Sequence, residues 1–152
     1  MSAYYGLAGT YELLDDWLIA PKDSVPKALD AVQKALELDP SFGEAHTMMG
    51  TIHFWYDFDQ AAAEKEFLRG IELNTNFDDG HDFYGWFLGA HKRIDQSIAE
   101  HRRAMELSPL DLQHHLALSQ SLYYNHRYDE AYDELRTTLL QNPNAWWGHE
   151  IL

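Results

Sequence analysis

DQAAAEKEFLRGIEL, residues Asp59–Leu73, decides how the rest of the chain reads, because its order of acidic, small and apolar residues comes back elsewhere. It returns as DQSIAEHRRAMEL (Asp95–Leu107) and DEAYDELRTTLL (Asp129–Leu140), and more loosely as PKALDAVQKALEL (Pro26–Leu38). Apolar residues three and four apart in each copy mark an amphipathic helix. Pro40, Thr75, Pro109 and Pro143 close the copies, at steps of 35, 34 and 34. Each step holds a second, inner helix before the repeated outer one. The boundaries fall at residues 1–40, 41–75, 76–109 and 110–143, with a partial unit at 144–152, all within a single domain over 1–152.

The inner helices are predicted over 2–14, where Ala3, Leu7, Ala8 and Tyr11 share a stripe, and over Gly43–Tyr56, Phe77–His91 and Asp111–Tyr124. Eight full helices result, with NAWWGHEIL (144–152) starting a ninth, short one. Asp15–Val25 reads as a lengthened first loop, with Ser24 or Val25 as N-cap and Pro26 in the first turn of the next helix. Asp59, Asp95 and Asp129 stand within a turn of outer-helix starts, where a carboxylate complements the helix dipole. The step of 35 implies one inserted residue, read at the Asp57–Asp59 break. Small residues recur where helices must approach closely: Gly50 and Gly85 on inner helices, Ala63, Ser97 and Ala131 on outer ones.

Composition narrows the function. The chain has 152 residues, 45% of them hydrophobic, enough for one domain with a sizeable core. The absence of cysteine excludes disulfides, thiolate zinc sites and cysteine nucleophiles. No leader-like segment and no apolar run of about 18 residues is present, which points to a cytoplasmic protein that does not span a membrane. A net charge of −14 repels phosphate backbones and anionic lipid, so neither nucleic acid nor a membrane surface is an expected partner.

A helix-pair period of 34 is the mark of tetratricopeptide repeats. LELDPSFGEAHTMMG, GHDFYGWFLGAHKRIDQSIAEHRRAMELSP and LYYNHRYDEAYDELRTTLLQNP resemble that family over nearly the whole chain, most of all the repeat arrays attached to bacterial signalling and transcription regulators. The resemblance implies an all-α, right-handed solenoid of antiparallel pairs with a concave surface lined by inner helices. It implies a non-catalytic scaffold that binds a protein or peptide. The alternative is a sensory or dimerising module of a larger regulator carrying a kinase, cyclase or DNA-binding domain.

Residues that could carry chemistry have structural readings. His46, His81, His115 and His149 recur at 35, 34 and 34, a framework place where the family more often has an aromatic ring. His53, His91, His101, His114 and His126 show no paired metal-ligand spacing, so no metal or other cofactor is expected. Ser24-Val25-Pro26-Lys27 matches S-x-x-K without its companion motifs and reads as a helix start. No catalytic residue is assigned.

All eleven basic residues fall on outer helices or loops, whereas most aromatic residues lie on inner helices. By the family's pattern the groove is lined by Tyr5, Gly9 and Glu12 in the first repeat, and by Thr47, Thr51, Phe54 and Trp55 in the second. Asp82 and Trp86 follow in the third, then Leu116, Gln120, Tyr123 and Tyr124 in the fourth, with Glu44, Asp79 and Gln113 flanking. Family members that grip chaperone carboxylates use Lys, Arg and Asn on this stripe, none of which stands there in this chain. An aromatic, acidic groove suits a segment bearing Lys or Arg with aromatic or Pro residues, unless its rings pack on the Trp17–Leu18 loop. Trp146, Trp147, Ile151 and Leu152 leave an apolar face on the last stub, the expected interface of a homodimer.

Overall fold

The computed structural model describes Gly6 and residues 21–141. The predicted first inner helix and the C-terminal stub, with Tyr5, Glu12, Trp146, Trp147, Ile151 and Leu152, lie outside the described residues. All regular structure among the described residues is helical: α1 (Pro21–Leu38), α2 (Gly43–Ile52) continued by a π-helical turn (His53–Asp57), α3 (Gln60–Leu73), α4 (Asp78–Ala90), α5 (Ile94–Leu107), α6 (Leu112–Tyr124) and α7 (Tyr128–Gln141). None of these helices is long and apolar enough to cross a membrane. The chain divides into two compact units, Met1–Gly80 and His81–Leu152.

In the first unit α1 starts earlier than expected. Pro21, not Pro26, opens it, Asp23 stands in its first turn, and Pro26 lies inside the helix. An internal proline forfeits one backbone hydrogen bond. The extra turn offsets this by burying Ser24 and packing Val25 against a core of Ala28, Ala31, Val32 and Ala35 from α1 with Ala45, Met48, Met49 and Ile52 from α2. Between the two helices Asp39 accepts from the Ser41 N–H (2.9 Å) and hydroxyl (2.6 Å), and these bonds lower its pKa. Asp59 caps α3 as its place in the sequence suggested, its side chain accepting from the Ala62 N–H at 3.0 Å.

The inserted residue is found inside the helix rather than in the break that follows it. Phe58, Lys92 and His126 carry the positive φ values (55°, 59° and 61°), one in each inner-to-outer turn. In the second unit Arg93 N donates to Leu88 O, and Arg127 N to Leu122 O, each across five residues. The matching bond in the first unit, from Asp59 N to His53 O, spans six. The surplus residue has widened the last turn of the helix into a π-turn.

Each pair is fastened in the same way. His46 Nδ1 donates to Glu66 (2.6 Å), His81 Nδ1 to Glu100 (2.6 Å) and His115 Nδ1 to Glu134 (2.7 Å). The framework histidines thus tie inner helix to outer helix. The predicted close approaches are present as well: Ala63, Ser97 and Ala131 are buried, and a Cβ on Gly50 would lie 2.8–3.0 Å from ring atoms of Phe67. Gly50→Leu is therefore expected to destabilise the fold by about 1–3 kcal/mol. An unchanged urea midpoint would show that the contact does not bear on stability.

Candidate functional site

The inner-helix face of the first unit is more closed than its sequence suggested. Thr47, Thr51 and Phe54 are buried, not open to a ligand. A Cβ on Gly70 would come within 2.5 Å of Thr47 Oγ1, and the Thr51 hydroxyl donates to Thr47 O (3.1 Å). The π-turn re-aims the side chains that follow Ile52. Phe54 turns inward and Trp55 outward, 53% exposed, with their rings 4.4 Å apart. Glu44 is half-buried and accepts from Asn74 Nδ2 at 2.8 Å, so its carboxylate is already engaged. Asp79 is exposed.

In the second unit the third repeat departs from its neighbours. Counting by the period, the outer-helix position filled by Phe67 and Leu135 in the flanking repeats is His101 here, and the small-residue position of Ala45 and Gly80 becomes His114 in the fourth repeat. Both histidines are buried, His101 completely. They meet at Asp82: His101 Nδ1 donates to Asp82 Oδ1 at 2.9 Å, and His114 Nδ1 lies 3.7 Å from the same oxygen, an electrostatic contact too long for a hydrogen bond. Trp86 Nε1 donates to Asp82 Oδ2 (3.2 Å), and its ring stands edge-on to His101 at 5.2 Å. Gly85 makes room, since a Cβ there would be 2.7–2.9 Å from the His101 ring.

Both predicted groove residues of this repeat, Asp82 and Trp86, are thus held half-buried by a network that the sequence did not announce. Replacement of an apolar framework residue by His101 was the available signal. Burial pushes the Asp82 pKa up, but the His101 hydrogen bond and the nearby His114 ring outweigh it and hold the carboxyl below its ordinary 3.8.

On α6, Gln113 is exposed, while Leu116 and Gln120 are half-buried. Tyr123 and Tyr124 reach solvent, and here the structure adds rings that the groove pattern missed. Tyr123 sits edge to face with Tyr124 (5.8 Å) and Tyr128 (5.4 Å), and Tyr128 with His126 (5.7 Å), the last two also joined by a 2.6 Å hydrogen bond between the hydroxyl and Nδ1. Tyr132 is exposed one turn along α7. These surfaces are suited to holding a ligand by stacking.

No protein-family model and no curated protein matches the sequence. Solved structures do match. MamA is 22% identical, with 93% of this chain covering 73% of that one at a TM-score of 0.68. YrrB, described as a tetratricopeptide-repeat protein with an unusual peptide-binding site, is 20% identical, with 97% of this chain covering 72% of that one at 0.71. A thermophilic repeat protein of Thermus thermophilus is 18% identical, with 97% covering 76% at 0.74. The fold is that of the tetratricopeptide-repeat proteins.

Ionised Asp82 stabilises the fold above pH 3.8, and this contribution is lost as pH falls through the lower folded-state value. Asp82→Asn is expected to cost about 1–3 kcal/mol near neutral pH. It should also flatten the decline of the urea midpoint below about pH 4. An acid limb as steep as that of the unaltered protein would show that Asp82 is not the titrating group.

Proposed function

We propose that this chain, which has the tetratricopeptide-repeat fold, is a non-catalytic scaffold in a cytoplasmic setting that holds a protein segment bearing Lys or Arg together with aromatic or Pro residues. One observation carries the reading: Trp55, Tyr123 and Tyr124 stand exposed at the ends of inner helices, while Phe67 and Phe87 are buried as repeat framework. Large exposed rings on an otherwise acidic surface suit stacking with apolar or cationic side chains. Each unit offers a face of its own, Trp55 with Asp79 in the first and Trp86, Gln113, Gln120 and the tyrosines in the second. Glu44 and Asp82 already accept bonds from within the protein, which leaves less of their charge for a partner. The apolar residues of the C-terminal stub, Trp146, Trp147, Ile151 and Leu152, remain our proposal for a homodimer interface, to be checked by light scattering on the full chain and on one ending at Pro143.

Calorimetry with sequence-matched basic and acidic peptides tests the partner. The basic peptide should bind more tightly, weaken as salt screens exposed charges, and lose about tenfold in affinity with Trp55→Ala or Trp86→Ala. Equal binding of both peptides, unaffected by either substitution, would remove the groove from the reading.

A further inference from the structure

The α7 sequence repeats a short theme: Tyr128-Asp129-Glu130-Ala131 is followed by Tyr132-Asp133-Glu134-Leu135. Ala131 and Leu135 are buried, and at about 100° per residue Asp129 and Asp133 lie on the opposite side of the helix, with Tyr128 and Tyr132 between the two. Tyr128 and Tyr132 are 52% and 53% exposed, and Asp129 and Asp133 beside them are exposed too. The other two acids are engaged. Glu130 accepts a forked pair of 2.7 Å bonds from Arg127, and Glu134 accepts from His115. Asp129 and Asp133 have no side-chain hydrogen bond or ion pair among the described residues. The first ring is fixed before any ligand arrives, edge-on to Tyr123 and bonded to His126.

We propose that this stripe is a docking surface for an extended protein segment carrying two arginines separated by one residue. Four residues of α-helix rise about 6 Å, close to the roughly 6.6 Å between alternate residues of an extended chain. Each guanidinium would lie on a tyrosine face with an aspartate at its edge, an arrangement that the planar Arg group fills better than an ammonium. The charge pattern selects the occupant: neither phosphates nor a second copy of a chain with net charge −14 would approach two uncommitted carboxylates. Arg136, one turn further on, marks the end of the stripe for a third cation. The proposal rests on the reading of the protein as a scaffold for basic segments, and places contact on an outer helix instead of the inner-helix groove.

The test titrates the full chain with the peptide Gly-Ser-Arg-Ser-Arg-Ser-Gly, blocked at both ends, and with its citrulline counterpart, which keeps the shape and removes the charge. Binding of the arginine peptide is expected, weakened about tenfold by citrulline, by Tyr128→Leu with Tyr132→Leu, and by Asp129→Asn with Asp133→Asn. All four side chains are exposed, and unchanged circular dichroism will confirm that the variants fold. Trp55→Ala and Trp86→Ala should leave this affinity alone. Absence of binding, equal binding of citrulline, or unchanged affinity in the α7 variants overturns the proposal. Loss on Trp55→Ala or Trp86→Ala alone would overturn it and leave the groove standing; loss in the α7 variants alone upholds it, and the groove is judged by the aromatic peptides.

Discussion

A large ring pressed against a bare backbone sets the distance between helices, and much else in the structure follows from that distance. Phe67 lies against Gly50, and the His101 ring takes the same place against Gly85. With no side chain at these two places on the inner helices, the outer helix comes close enough for His46 and His81 to reach a glutamate across the gap. Sterics and hydrogen bonding agree, and a repeat satisfying both needs little else to define its geometry. The chain can accordingly put an unusual residue into the framework, as it does at His101, whose ring keeps the shape and whose Nδ1 finds a partner in Asp82.

The fold was legible because its signals are local and periodic. The 34-residue step, the small residues at 50, 63, 85, 97 and 131 and the capping aspartate at 59 each have one physical meaning, and the structure bears them out. The start of α1 was not legible, since a proline within a helix is tolerated only when a buried turn compensates, and burial is a tertiary fact. The framework place of His46, His81 and His115 could be read from their spacing. Their glutamate partners keep the same period and could have been found, but a repeated acid on an outer helix also reads as a solvated one.

The candidate site was legible in kind but not in detail. Residue type and stripe identified Trp55, Trp86, Tyr123 and Tyr124 as rings at or near the surface, but could not say which acids were spoken for. Glu44 and Asp82 look like free charge in a sequence; in the structure one is held by Asn74 and the other by two buried rings and an indole. Burial of Phe54 escaped because a pattern carried over from 34-residue repeats meets here a 35-residue one, and the surplus residue changes which side chains beyond Ile52 face out; burial of Thr47 follows from its packing against Gly70, a tertiary contact.

That surplus residue also bears on how such chains vary. An insertion within an α-helix rotates everything beyond it by about 100°, yet α3 starts in step with its counterparts, because Phe58 adopts the same left-handed conformation as Lys92 and His126. The left-handed residue acts as a reset of phase, from which each outer helix counts afresh. Changes of length just upstream are confined to the last turn of an inner helix, the place that carries Trp55 in one repeat and Tyr123 and Tyr124 in another. The part of the repeat most tolerant of insertion is therefore the part that shows its rings to solvent, and recognition can diverge from copy to copy while the buried contacts stay as they are.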